Sequence, residues 1–343
     1  MAVACQSPAS PTPANLGSPD FLKRPVDQNF LDIPFKSRFH VRQYDSSNVT
    51  QVISDVQCYF VDHWPWKSNK ECQSYLDADL EWVILLGYPD MLPERVRPCS
   101  IYIVWTILLD DAVGCCYRML KEFDCQVEEV EEERESQSID LKMMRDIFDR
   151  VMATDISDPG APSAARNLCR GTCQWVLTTA SISERKGAMH SPSLEAYLDF
   201  RVQDSGACLS KVLIAWGCGR PIKQHLWEES NLKLLDNLTS RHVSLVNDLV
   251  SYRRETEVAK QSDTGEVSKV ITNAVAFIVQ ERALDEHDAI QFLWHYLSDL
   301  EVEMLKVEEV IKTTYSGGDL NEVERHIDSM KALCGRYNTP FSK

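Results

Sequence analysis

Residues 247–255 read Asn-Asp-Leu-Val-Ser-Tyr-Arg-Arg-Glu, which sets an amide, a hydroxyl and a carboxylate at i, i+4 and i+8. On an α-helix each four-residue step rises about 6 Å and drifts only about 40° around the axis. Asn247, Ser251 and Glu255 therefore line one stripe. Val246, Leu249 and Val250 flank it with apolar side chains, so the stripe is expected to face a bundle interior. Polar groups in such an interior need a partner, and an ion supplies one. Hard oxygen donors at this spacing suit Mg²⁺, which dehydrates reluctantly and is usually shared between a few protein oxygens and substrate phosphates. An ordinary polar stripe is the competing reading of the same three residues.

Outward from this segment the chain continues in the same helical pattern. Apolar positions recur at three- and four-residue spacing over 46–63, 69–87, 93–120, 137–155, 161–184, 192–218, 229–257, 265–283, 285–315 and 319–335. Breaks are expected at Pro65, Pro89, Pro93, the run Pro159-Gly160-Ala161-Pro162, Gly219-Arg220-Pro221 and Gly317-Gly318. No alternating strand pattern and no repeat stands out, so an all-α bundle of about ten helices is predicted. The first 27 residues, rich in Pro, Ser and Ala, read as a disordered or strap-like segment, and 28–343 as one helical domain. The acidic run Asp124 to Glu135 reads as a solvated loop or helix end, and Lys260 to Glu266 as a loop.

Composition narrows the function. A formal charge of −16 argues against nucleic acid as partner, because phosphate backbones recruit Lys- and Arg-rich surfaces. Twelve cysteines without an apolar signal peptide suggest reduced thiols in the cytoplasm, with Cys58, Cys208 and Cys218 as core fillers. Cys169 and Cys173 have no nearby His or Cys pair to complete a zinc set. No run of 18 apolar residues exists, so no membrane span is expected.

The pattern (N/D)Dxx(S/T)xxxE at 247–255 resembles the second metal motif of class I terpene cyclases. Upstream, IYIVWTILLDDAVG (101–114) carries Asp110-Asp111 where that family has its first aspartate-rich motif. Between them, in SLEAYLDFRVQDSGACLS, Arg201 lies 46 positions before Asn247 (247 − 201) and matches the family's diphosphate-sensing arginine. Near the C-terminus Arg336-Tyr337 is similar to the family's Arg-Tyr pair. The order of these elements fits fungal and bacterial sesquiterpene cyclases best. Two departures stand out: DDAVGCC lacks the third acid of DDxxD or DDxxE, and Met330 to Gly335 lacks a tryptophan often found before the Arg-Tyr pair.

The resemblance implies a class I terpenoid synthase-like helical bundle that ionises farnesyl diphosphate with Mg²⁺, three ions per site, and cyclises the carbocation. It implies metal ligands at Asp110, Asp111, Asn247, Ser251 and Glu255. Diphosphate contacts would come from Arg201, Arg254, Arg336 and Tyr337, since the guanidinium fork fits phosphate oxygens and stays charged. Gly206 would mark a local helix break that turns a backbone carbonyl toward the substrate, with Asp204 as the link from Arg201. Phe60, Trp105, Trp175, Phe200 and Trp216 are candidates for steadying a cation, although core packing is the commoner role of tryptophan. A homodimer is compatible with the family. Chain-elongating prenyl transfer is disfavoured because a second DDxxD-like motif is missing. A C10 or C20 substrate, or an impaired diphosphate-binding protein, remains an open alternative.

Overall fold

The apolar spacing resolves into thirteen α-helices in a computed structural model that describes residues 36–44, 48–78, 80–110, 139–155, 163–184, 191–220, 222–261 and 272–336. In chain order they are α1 (Val49–His63), α2 (Asn69–Ala78), α3 (Glu81–Gly87), α4 (Pro93–Asp110), α5 (Ile139–Ala153), α6 (Ala164–Glu184), α7 (Leu194–Asp204), α8 (Ser210–Gly217), α9 (Gln224–Trp227), α10 (Ser230–Gln261), α11 (Ala274–Arg282), α12 (Glu286–Thr314) and α13 (Gly317–Gly335). A 3₁₀ turn, Ala207–Leu209, joins α7 to α8. No strand occurs among the described residues. The acidic run, Asp111, Tyr337, the first 35 residues and the 262–271 segment lie outside them.

Several helix starts follow ordinary capping chemistry. Ser193, Asn273 and Asp285 sit in extended backbone, and their side-chain oxygens accept from Ala196, Val275 and Asp288 amides, covering donors that the first turn leaves open. α11 ends at Ala283, which takes the left-handed conformation (φ 53°).

Within the 69–87 segment, Glu81 at the start of α3 accepts a hydrogen bond from Tyr75 Oη of α2 at 2.8 Å in the buried interior. The 192–218 segment breaks at Gly206, whose φ of 70° is left-handed and suits glycine.

The helices share a single core. α10, 32 residues and so about 48 Å long, runs through it and packs against α7, α11, α12, α13 and the 3₁₀ turn. Its inner face is unusually polar: Asp236, Thr239, Ser240, His242, Ser244 and Asp248 are all buried. Burying so many polar atoms is tolerable only where they find partners, and those partners organise the site. At its middle, His242 meets Glu301 of α12 (Nε2 to Oε1, 3.0 Å). The same carboxylate accepts from Ser37 Oγ at 2.5 Å and Arg38 N at 2.8 Å, which ties the 36–44 segment to α12. A Cβ at Gly335 would lie 2.7 Å from the His40 carbonyl oxygen, so only glycine lets that segment lie against the end of α13.

Trp105 and Trp216 are fully buried core residues, as is Phe60. Of the cysteines read as core, Cys218 is buried, whereas Cys58 and Cys208 are half-buried. The eight described cysteines are free thiols. Among the described residues no helix is long and apolar enough to cross a membrane.

Candidate active site

Asn247, Ser251 and Glu255 lie on the upper half of α10, each one helical turn from the next. Asn247 is exposed, and Ser251 and Glu255 are half-buried. The Ser251 hydroxyl oxygen itself is out of contact with solvent and has no hydrogen-bond partner among the described residues. Glu255 Oε2 accepts from Asn273 Nδ2 at 3.0 Å, and its Oε1 takes no hydrogen bond among them. One buried hydroxyl without a partner, one carboxylate oxygen left over and one exposed amide oxygen form a hard-oxygen set that fits a divalent cation. No group of three His, Cys, Asp or Glu side chains suited to a metal forms among the described residues.

Arg201 is brought to the same place from α7. Its Nε donates to Asp248 Oδ1 at 2.8 Å, Nη1 to Asp204 Oδ2 at 2.9 Å, and Nη2 to Asn247 Oδ1 at 3.5 Å. Burial works against its charge, but Asp248 foremost, with Tyr197 and Asp204, holds the guanidinium protonated above its ordinary range. Nη2 also lies 2.8 Å from Asp248 Oδ1, so among the described residues the second N–H of Nη1 is the donor left for a phosphate oxygen. Arg201, which the resemblance implies senses diphosphate, and the first residue of the 247–255 stripe are therefore in direct contact.

Asp248 is the residue that makes this possible, and sequence reading assigned it no role. It is fully buried. Besides Arg201, its carboxylate accepts from Tyr197 Oη at 2.8 Å and from Ala274 N at 2.9 Å, the first amide of α11. One side chain thus joins α7, α10 and α11. Burial, then the Asp248 charge, pushes the Tyr197 phenol well up, so it remains a neutral donor. A carboxylate flanked by Val246 and Leu249 was the available clue, because a buried charge demands paired donors.

The break after Arg201 also forms where expected. Trp175 Nε1 donates to the Asp204 carbonyl at 3.3 Å, and a Cβ on Gly206 would lie 3.0 Å from the Trp175 ring. Trp175 is thus a buried floor beneath the break. The Gly206 carbonyl accepts from Leu209 N at 2.9 Å within the 3₁₀ turn. Ser205 and Ser240 fasten the turn to α10, Ser205 Oγ to Ser244 Oγ at 2.8 Å and Ser240 Oγ to the Ala207 carbonyl at 3.3 Å.

The remaining predicted site residues come from several elements. Asp110 is the last residue of α4, so that helix delivers it at its C-terminal end. Arg254 is exposed on α10. Arg336 is buried just after α13 and packs over Gly87 of α3, where a Cβ would come within 2.8 Å of its Nη1. Phe200 is half-buried on α7. Asp111 and Tyr337 lie outside the described residues.

This bundle is that of the class I terpenoid synthases. It superposes on the crystal structure of aristolochene synthase from Penicillium roqueforti with a TM-score of 0.66, at 18% identity over 89% of this chain and 97% of that one. It matches a-eudesmol synthase with a TM-score of 0.70, at 12% identity over 90% and 99%. In sequence, (+)-aristolochene synthase TS1 of Penicillium expansum is 24% identical over 76% of this chain and 77% of the relative. The model for terpene synthase family 2, C-terminal metal binding, matches residues 102–302, more than half of the chain, and spans Asp110, Arg201 and the 247–255 motif. The protein belongs to this family and is a metal-dependent terpene synthase, a lyase acting on diphosphates.

Proposed function

We propose that this chain is a sesquiterpene cyclase that ionises farnesyl diphosphate and cyclises the resulting allylic cation. The observation that carries the reading is the α10 stripe: a buried Ser251 hydroxyl, without a partner among the described residues, between Asn247 and Glu255, in contact with Arg201 through Asn247. Asp110 and Asp111 on one side, and Asn247, Ser251 and Glu255 on the other, would hold Mg²⁺ ions. When bound, these neutralise a departing diphosphate as Lewis acids.

The chain's own residues do the rest. Arg201, fixed by Asp248 and Asp204, keeps its charge in a buried setting and offers its remaining Nη1 donor to a diphosphate oxygen. Donors already in place for developing negative charge are each worth about 3 kcal/mol. Arg254, Arg336 and Tyr337 are the further diphosphate contacts. The cation must be kept from water, and the buried apolar core around α4, α6 and α7 supplies such surroundings.

Purified protein incubated with Mg²⁺ and farnesyl diphosphate, with and without isopentenyl diphosphate, tests this. A cyclic C15 hydrocarbon or alcohol by gas chromatography is the expected result. A longer prenyl diphosphate, or products only from parallel C10 or C20 incubations, would overturn the assignment, and an inert protein that still binds diphosphate would favour the impaired-binder alternative. Asp110→Ala and Glu255→Ala should each abolish turnover without unfolding the bundle.

A further inference from the structure

We infer that Asn273, outside the 247–255 motif, is a positioning residue that sets the Glu255 carboxylate for metal binding. The inference rests on reading that motif as a metal site. Asn273 is 1% exposed and sits at the start of α11. Its Oδ1 accepts from Val275 N at 2.9 Å, which is the helix cap. The cap fixes the amide's orientation, since reversing it would set an NH₂ against the Val275 N–H. Nδ2 is then committed. It donates to the Asp248 carbonyl at 2.7 Å and to Glu255 Oε2 at 3.0 Å, using both of its hydrogens.

Capping alone does not require asparagine. Asp or Ser would serve a helix start as well, but neither carries an NH₂ that reaches Glu255 while its oxygen caps. The amide occupies one carboxylate oxygen and leaves Oε1 for an ion, so the side chain approaches a cation through one atom in a fixed orientation. Asn273 also meets the α10 backbone at Asp248, whose side chain holds Arg201 and the Ala274 amide. The orientation of Glu255 and the placement of the arginine are thus set by one interlocked group.

The test is calorimetric titration of Mg²⁺ into the full-length protein in the presence of inorganic diphosphate. Asn273→Asp keeps size and cap but sets a carboxylate against Glu255; Asn273→Ser keeps the cap and removes the donor. Circular dichroism identifies folded samples, and if Asn273→Asp does not fold, Asn273→Ser decides. Groups that orient metal ligands are commonly worth about 10- to 100-fold in metal affinity, and a weakening of that size is expected. In a Glu255→Ala background, Asn273→Ser should add nothing, because its effect passes through the missing carboxylate. Wild-type Mg²⁺ affinity in Asn273→Ser, with Glu255→Ala weakened, would overturn the role of Asn273 and leave the motif intact. A further loss from Asn273→Ser in the Glu255→Ala background would also overturn it. Unchanged affinity in Glu255→Ala itself would instead remove the metal reading on which the inference rests.

Discussion

Replacing Asp248 by asparagine keeps the shape of the site and removes one charge. Its two oxygens have separate duties: Oδ1 faces Arg201, and Oδ2 faces Tyr197 Oη and Ala274 N. An asparagine has one acceptor oxygen. If it faces Tyr197 and Ala274, the new NH₂ opposes the Arg201 guanidinium; if it faces Arg201, the NH₂ opposes the Ala274 N–H. Either way a buried donor is set against a donor. Removing one member of a buried ion pair costs about 3–5 kcal/mol, and because Asp204 still holds Arg201 at 2.9 Å, the lower end, about 3 kcal/mol, is expected. For a chain of this size, about 2 °C per kcal/mol gives a melting temperature about 6 °C lower. Thermal unfolding followed by circular dichroism at fixed scan rate, with matched urea titrations, measures this. Tyr197→Phe, which removes one neutral donor, should cost only about 1 kcal/mol. A Asp248→Asn loss below that of Tyr197→Phe would refute the view that this carboxylate anchors the three helices.

Other expectations follow from single contacts. Ser251→Ala removes a buried hydroxyl that has no partner among the described residues, so the metal-free melting temperature should hold or rise while turnover falls by about 100-fold or more; a clear drop in metal-free stability would count against it. Gly206→Ala places a Cβ in left-handed backbone (φ 70°) and 3.0 Å from the Trp175 ring, which should cost about 1–3 kcal/mol by urea titration, and an unchanged midpoint would contradict the packing. Burial opposes protonation of His242, but Cys334 and Glu301 hold its pKa up, from 6.5 to about 9. Its contribution is therefore complete below pH 6.5 and is lost as the pH rises through about 9. Burial alone would raise the Glu301 pKa, but His242, Arg38 N and Ser37 hold it below its usual 4.5, so its contribution is present above that value and is lost as the pH falls through the lowered one. Melting temperature against pH should fall on both sides, and His242→Gln should flatten the alkaline side; an equally steep alkaline decline in the variant would exclude His242 as its source.

Most of the helices could be read from apolar spacing, because each buries one continuous stripe. The four-residue helix α9 is too short to show periodicity. The α10 stripe was legible because its members are neighbours on one helix. Asn273 was not: it meets Glu255 across 18 positions, from a different helix, and helical spacing carries no information about such a pairing. Asp248 lay in plain view within the motif, but the need for its charge appears only once Arg201, Tyr197 and Ala274 are seen converging on it.

The contact of Ser37 and Arg38 with Glu301 bears on how the protein can be handled. A chain trimmed from its front end past Arg38 would lose two of the donors that Glu301 uses in the interior, leaving His242 as its remaining described partner. Trimming for crystallisation, and the fusion of affinity tags, should therefore stay ahead of Ser37.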